Sequence, residues 1–166
     1  QELPDYIPYQ SYQLTEYKFD TIAEAFRYAT RKDPQDASNT VFKLDKNTPY
    51  SPGVKVENSK ISLADHYWAE ISFRVFCDTL PNDGELNLVA TYTYQGRKKT
   101  LTNKVYKYKT YPVKPDSTGK WQHFTFRYLA PEPTTARDRL ETYVWYRGKR
   151  QIYIDDFRVN ILEPAR

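Results

Sequence analysis

From Thr40 to Ile161 the chain repeats one pattern: a run in which apolar and polar side chains alternate, then a cluster of Pro, Gly, Asn or Asp. Period-two alternation places successive side chains on opposite faces of an extended backbone, so each run reads as a β-strand with one face buried. The runs are Thr40–Leu44, Gly53–Val56, Tyr67–Cys77, Leu86–Tyr94, Lys104–Tyr108, Trp121–Tyr128, Glu141–Tyr146 and Ile152–Ile161. Their separators, such as Asn47–Gly53, Pro81–Gly84, Gln95–Arg97 and Pro112–Gly119, carry the residues that turns require. The 16 Tyr, 8 Phe and 3 Trp fit the same pleated, half-buried surface. About eight strands at this spacing predict an all-β chain, a two-sheet antiparallel β-sandwich of jelly-roll type.

One segment has helical character. Asp20–Arg31 offers Asp20 as an N-cap and Ile22, Ala25, Phe26 and Ala29 on one stripe, enough for at most three turns near the N-terminus; an irregular strand is the alternative. Without an internal repeat or a second domain, residues 1–166 form a single β-sandwich domain. The chain begins with Gln1 and has no Met, which predicts a processed product or a piece excised from a longer protein, with other domains as partners.

Several functions lack the residues they need. Cys77 stands alone, so neither an internal disulfide nor a zinc cluster can form. No apolar run of about 18 residues exists to insert into a membrane. His66 and His123 lack a Ser or Cys nucleophile signature, and no glycine loop for phosphate occurs. Glu70 or Glu141 with Asp155 is a glycosidase pair in name only, because any β-sandwich with 21 acidic residues offers one. The chain reads as no enzyme. Nucleic acid is not an expected partner either, since no RRM, KH or helix-turn-helix pattern is present.

Two features carry candidate chemistry. The first is the pair Asp155 and Asp156 inside the apolar run Ile152–Ile161. Burying an unpaired carboxylate costs several kcal/mol, so the pair must be hydrogen-bonded, neutralised by a base such as Arg27, Arg158 or a lysine, or bound to a cation. The second is a basic hairpin with Arg97, Lys98, Lys99, Lys104, Lys107 and Lys109 interleaved with Tyr106, Tyr108 and Tyr111. It reads as an edge strand guarded by lysines, or as an anion-binding patch that, with a net charge of +4, would favour an acidic polysaccharide or, as the weaker form, single-stranded nucleic acid.

The order of a Tyr-Ser-Pro-Gly turn at 50–53, a long strand with Trp68, a hairpin through Gly96, Gly-Lys-Trp-Gln-His-Phe-Thr-Phe at 119–126, Tyr-Val-Trp-Tyr-Arg-Gly at 143–148 and Ile-Tyr-Ile-Asp-Asp-Phe at 152–157 resembles the jelly-roll carbohydrate-binding modules. These belong to the galactose-binding-like fold, and the likeness is to modules of Bacteroidetes-type secreted or cell-envelope proteins. It covers roughly Thr40 to Ile161. The resemblance implies a non-catalytic glycan-binding or accessory module, periplasmic, cell-surface or secreted. The same fold also serves as a structural or protein-interaction domain with no glycan ligand. It further implies a structural calcium ion joining an early acid, here Asp20, to Asp155 or Asp156 on the last strand.

Sugar recognition in such sandwiches uses flat aromatic rings that stack on a pyranose, flanked by polar groups. Trp68 shares a face with Glu70, Ser72 and Arg74, opposite the apolar Ala69, Ile71, Phe73 and Val75, and so could be exposed. Trp121 follows a Gly-Lys turn and reads as structural. Trp145 alternates with Tyr143 and Arg147, while Thr142, Val144 and Tyr146 point the other way, and either set could face the core. The candidate ligand-binding residues are Trp68, Tyr143, Trp145 and Arg147.

Overall fold

A computed structural model describes residues 3–4, 7–17, 24–94, 104–133 and 135–165. It contains ten strands: β1 (Tyr9–Tyr17), β2 (Thr30–Lys32), β3 (Thr40–Leu44), β4 (Val54–Glu57), β5 (Trp68–Cys77), β6 (Leu86–Tyr94), β7 (Lys104–Pro112), β8 (Trp121–Leu129), β9 (Arg139–Tyr146) and β10 (Ile152–Pro164). Every pairing is antiparallel. One sheet of six strands runs β2-β3-β10-β5-β8, with β1 beside the second half of β10, and a sheet of four runs β4-β9-β6-β7. This is the β-sandwich of jelly-roll type that the alternation predicts, and the eight expected strands all form within a few residues of their expected bounds. No helix among the described residues is long and apolar enough to cross a membrane.

The inward positions of the two sheets meet in one core. Phe73 on β5 lies 6.2 Å, centroid to centroid, from each of Phe124, Phe126 and Phe157. Opposite them, Leu86, Leu88, Ala90 and Tyr92 of β6 and Leu140, Val144 and Tyr146 of β9 are buried. The buried Tyr92 hydroxyl donates to Asn58 Oδ1 at 2.6 Å, which satisfies a polar group that would otherwise cost stability.

The N-terminal segment differs from the sequence reading. A 3-10 helix occupies Glu24–Ala29 and strand β2 follows at Thr30, so the short helix expected across Asp20–Arg31 ends early; Asp20 itself lies outside the described residues. Strand β1 has little apolar rhythm to read, because its side chains from Gln10 to Gln13 are all exposed, and it is held instead by its ladder with β10, from Tyr9 opposite Pro164 to Tyr17 opposite Phe157.

Strand β10 contains a bulge. Asp155 opposes Arg74 and Arg158 opposes Ser72, so Asp156 and Phe157 together face the single residue Phe73. Asp156 takes a left-handed φ of 52° there, which Asp tolerates better than most side chains. Simple alternation would turn one of two adjacent acids inward. The extra residue keeps both off the core and returns Phe157, Val159 and Ile161 to it.

Candidate functional site

Strand β9 settles the ambiguity that its alternation left open. Leu140, Thr142, Val144 and Tyr146 are buried, while Glu141, Tyr143 and Trp145 are only partly covered and Arg147 is exposed. The aromatic pair therefore lies on the outer face of the four-stranded sheet. The segment before β4 supplies a third ring. Ser51 N donates to Val144 O at 3.0 Å, Val144 N donates to Ser51 Oγ at 2.9 Å, and Tyr146 N donates to Pro49 O at 2.8 Å. These bonds lay the segment along β9 and set Tyr50 opposite Trp145 in an isolated bridge. Directly opposed residues share a face. The Tyr50 and Trp145 planes differ by 15° with centroids 6.3 Å apart, and Tyr143 meets Tyr50 edge-on at 5.7 Å.

Tyr50 is 53% exposed, and so is Tyr108 on β7. Between these flanks, β6 contributes only small or medium side chains to the outer face. Asn87 lies between Trp145 and Pro112, Val89 between Tyr143 and Thr110, and Thr91 between Glu141 and Tyr108. All three are buried, so the aromatic rings and Glu141 form the accessible surface above them. Thr91 Oγ1 has no hydrogen-bond partner among the described residues. An open hollow of about 300 Å³ is lined by Tyr50, Ser51, Glu141 and Tyr143. Burial, with Tyr108, Glu141 and Tyr50 adding to it, pushes the Tyr143 phenol above its ordinary pKa, so it is a neutral hydrogen-bond donor at pH 7. Flat rings flanked by a carboxylate and a phenol are the elements that bind the apolar face and the hydroxyls of a sugar.

Sequence reasoning named Tyr143, Trp145 and Arg147 but missed Tyr50. Its signal was the pair Pro49 and Pro52 around it, which favours an extended segment able to run along a strand edge. Gly53 secures that segment, because a Cβ there would stand 1.9 Å from the Thr142 carbonyl oxygen and 2.9 Å from Tyr143 Cβ. Gly53→Ala is expected to push the segment off β9 and destabilise the protein by about 3 kcal/mol. A thermal unfolding midpoint equal to that of the native chain would count against this close approach.

Trp68 does not join the site. It sits on the outer side of the other sheet, as its polar neighbours predicted, yet it is only 6% exposed. Its directly opposed neighbours on that face are Leu129 of β8 and Leu162 of β10, so the polar face ends in an apolar row at this strand end. Trp121 is structural, as read: its Nε1 donates to Asp33 Oδ1 at 3.0 Å, and it packs 5.6 Å from Phe76.

The acidic pair is neutralised by Arg74, not by Arg27, Arg158 or a lysine. Arg74 Nη2 donates to Asp155 Oδ2 at 2.7 Å, and its Nε lies 2.6 Å from Asp156 Oδ2. The guanidinium also covers the Trp121 ring at 4.5 Å. Asn39 Nδ2 bridges Asp155 Oδ2 at 2.8 Å and Asp33 Oδ2 at 3.0 Å. Burial pushes the Asp155 carboxyl above its ordinary pKa despite these bonds. In Asp33 burial acts the same way but is outweighed by bonds from Gln35, Asn39 and Trp121 and by the charge of Arg74, so its pKa falls. Arg158 pairs instead with Glu16 at 2.9 Å.

Calcium needs six to eight oxygen ligands. Here a guanidinium stands between the two carboxylates, and among the described residues no group of three His, Cys, Asp or Glu side chains is arranged for a metal. Asp155 and Asp156 in this arrangement do not fit the ion, although Asp155 Oδ1 is left without a hydrogen-bond partner among the described residues. The remaining candidate ligand, Asp20, lies outside them.

Strand β7 is an edge of its sheet, where the lysine-guarded reading places it. Lys107 Nζ donates to the Leu129 carbonyl and lies 5.0 Å from the Tyr128 ring, while Lys109 lies 5.1 Å from that of Tyr111. Burial, with Lys109 nearby, lowers the Lys107 pKa. Lys107 thus ties the edge strand to β8, while Lys109 lies against a ring of its own strand. Arg97, Lys98 and Lys99 lie outside the described residues, as do the side chains of Lys104 and Tyr106. Of the two glycosidase pairings, Glu141 and Asp155 lie on the outer faces of different sheets, whereas Glu70 shares the outer face of Asp155 and is engaged there by Arg127 Nε at 3.0 Å.

No family model matches the sequence, and no curated protein matches it. Solved structures do share the fold. The tandem CBM22-1–CBM22-2 domains from Paenibacillus barcinonensis Xyn10C align with a TM-score of 0.52 at 16% identity, over 89% of this chain and 50% of that one. The CBM22-1 xylan-binding domain of the same protein aligns with a TM-score of 0.51 at 14% identity, over 93% of this chain and 97% of that one. The CBM22-1 and GH10 modules of Clostridium thermocellum endo-1,4-beta-D-xylanase 10B, complexed with xylohexaose, align with a TM-score of 0.50 at 14% identity. That match covers 93% of this chain but only 29% of the xylanase chain. The chain therefore shares the two-sheet β-sandwich fold of these structures.

Proposed function

We propose that the chain is a non-catalytic glycan-binding module that holds a polysaccharide against the outer face of its four-stranded sheet. The observation that carries this reading is the cluster of Tyr50, Tyr143 and Trp145, three rings set outward by β9 and the segment bonded to it, with Tyr108 exposed across the sheet. Stacking on these rings supplies affinity, and Glu141, the Tyr143 hydroxyl and Arg147 meet the sugar hydroxyls. Further support comes from a fold shared with the CBM22-1 xylan-binding domain of Paenibacillus barcinonensis Xyn10C. In this reading the module works outside the cell, as an accessory to other domains of a longer protein.

The test is titration with soluble xylan, xylohexaose, mixed-linkage β-glucan and mannan, read by tryptophan fluorescence and calorimetry. Saturable binding to at least one polymer is expected. No response to the whole panel would leave the structural or protein-interaction domain as the better description.

A further inference from the structure

A second recess adjoins the aromatic face. It has a volume of about 400 Å³ and opens between the β5–β6 turn and the β9–β10 turn, with Pro81, Glu85, Tyr146, Arg147, Lys149 and Arg150 among its walls. Its charge is one-sided. Glu85, the acid in the wall, already accepts the Asn82 backbone N–H at 2.9 Å on one oxygen and Asn82 Nδ2 at 3.1 Å on the other. Asp78 and Asp83 of the same turn are exposed and do not line the recess. Against one engaged carboxylate stand three cations, none of which forms an ion pair with a described residue.

Two of these cations are held in place by bonds to neutral groups. Arg147 Nη2 donates to the Gly84 carbonyl at 2.7 Å and its guanidinium lies 5.1 Å from the Trp145 ring, while Arg150 Nη1 donates to Thr79 Oγ1 at 3.2 Å. A guanidinium fixed in this way has further N–H groups to offer, in the planar fork that matches a carboxylate. Arg147 belongs to both surfaces: it continues the outward row of Tyr143 and Trp145, and it lines the recess. Two residues along a strand span about 6.6 Å, so a sugar stacked on Trp145 carries its neighbouring substituents to the mouth of the recess.

We propose that this recess, at the end of the four-stranded sheet, receives the carboxylate of a uronic acid on the bound glycan, held by Arg147, Lys149 and Arg150. The proposal rests on the glycan-binding reading above and narrows its ligand to acidic polysaccharides.

The probes are glucuronoxylan and the same polymer after reduction of its carboxyl groups, titrated into the native chain, Arg150→Ala, Lys149→Ala/Arg150→Ala and Trp145→Ala. The native chain is expected to bind glucuronoxylan about tenfold more tightly than the reduced polymer. The double variant, folded by its unfolding midpoint, should lose that preference while still binding the reduced polymer, and raised salt should narrow it. Equal binding of both polymers by the native chain, or an undiminished preference in the double variant, would overturn the recess and leave the aromatic face standing. Failure of the native chain to bind either polymer would overturn the recess, and the glycan-binding reading falls with it only when the β-glucan and mannan of the panel are left unbound as well.

Discussion

Trp145→Ala is expected to weaken glycan binding about thirtyfold or more while leaving the fold intact. Buried aromatic anchors at binding surfaces are typically worth about 2 kcal/mol or more, and 1.4 kcal/mol corresponds to a tenfold change in Kd. Trp145 contributes the largest ring of the cluster and packs against two side chains, since Tyr50 lies nearly parallel to it and Arg147 sits against its face. Its side chain points away from the core, which Val144 and Tyr146 fill from the same strand. The unfolding midpoint should therefore move little. Calorimetric titration with the best polymer of the panel gives the result, and Trp145→Phe should recover part of the lost affinity because a smaller ring remains. An unchanged Kd in Trp145→Ala would remove this face from consideration.

Arg74→Met has the other large consequence, on stability. Asp155 is 1% exposed and shares its Oδ2 between Arg74 and Asn39. Removing one partner of a buried pair leaves an uncompensated charge and costs about 3–5 kcal/mol. The loss should depend on pH in a defined sense. Burial already raises the folded-state pKa of Asp155, and the charge of Arg74 helps to lower that of Asp33. Without the guanidinium both folded-state values move up, and at Asp155, already raised, the folded variant binds a proton more readily than the unfolded chain does. Its stability then falls as pH rises through the carboxylate range, and the deficit against the native chain is greatest near neutrality and shrinks toward pH 4. Denaturant titrations at pH 4 and pH 7 read this directly; a deficit equal at both values would mean that packing on Trp121, not charge, is what Arg74 provides.

The alternation of the chain was enough for the strands, because each buries one face and turn residues mark its ends. It failed where burial is not two-sided in that simple way. Strand β1 shows almost no apolar rhythm, since its place is set by backbone pairing with β10 and not by side chains. At Trp68 the polar neighbours Glu70, Ser72 and Arg74 were a true guide to the face and a false one to exposure, because exposure depended on Leu129 and Leu162, far away in sequence. The same holds for the acids. That Asp155 and Asp156 needed a partner was evident from their setting, whereas the identity of Arg74 required the register of β5 against β10. On β9 the two faces were equally plausible as strings of letters; packing against β6 chose between them. Tyr50 escaped notice because turns between strands are read as connections, and this one is bonded to β9 as an extra length of strand.

The bulge in β10 has a bearing on how the length of this strand can vary. From Ile152 to Ile154 and from Phe157 to Ile161 the inward positions fall on every second residue, and the two stretches differ in phase by the single extra position that the bulge absorbs. Losing one residue elsewhere between them and the strand ends would turn an apolar row out to solvent. Losing Asp156 would instead bring the two stretches into one phase, with Phe157 still opposite Phe73 and the core unchanged. The strand thus has one place where its reading frame can slip without turning the sandwich inside out, and that place holds the acid whose removal would leave Arg74 to Asp155 alone.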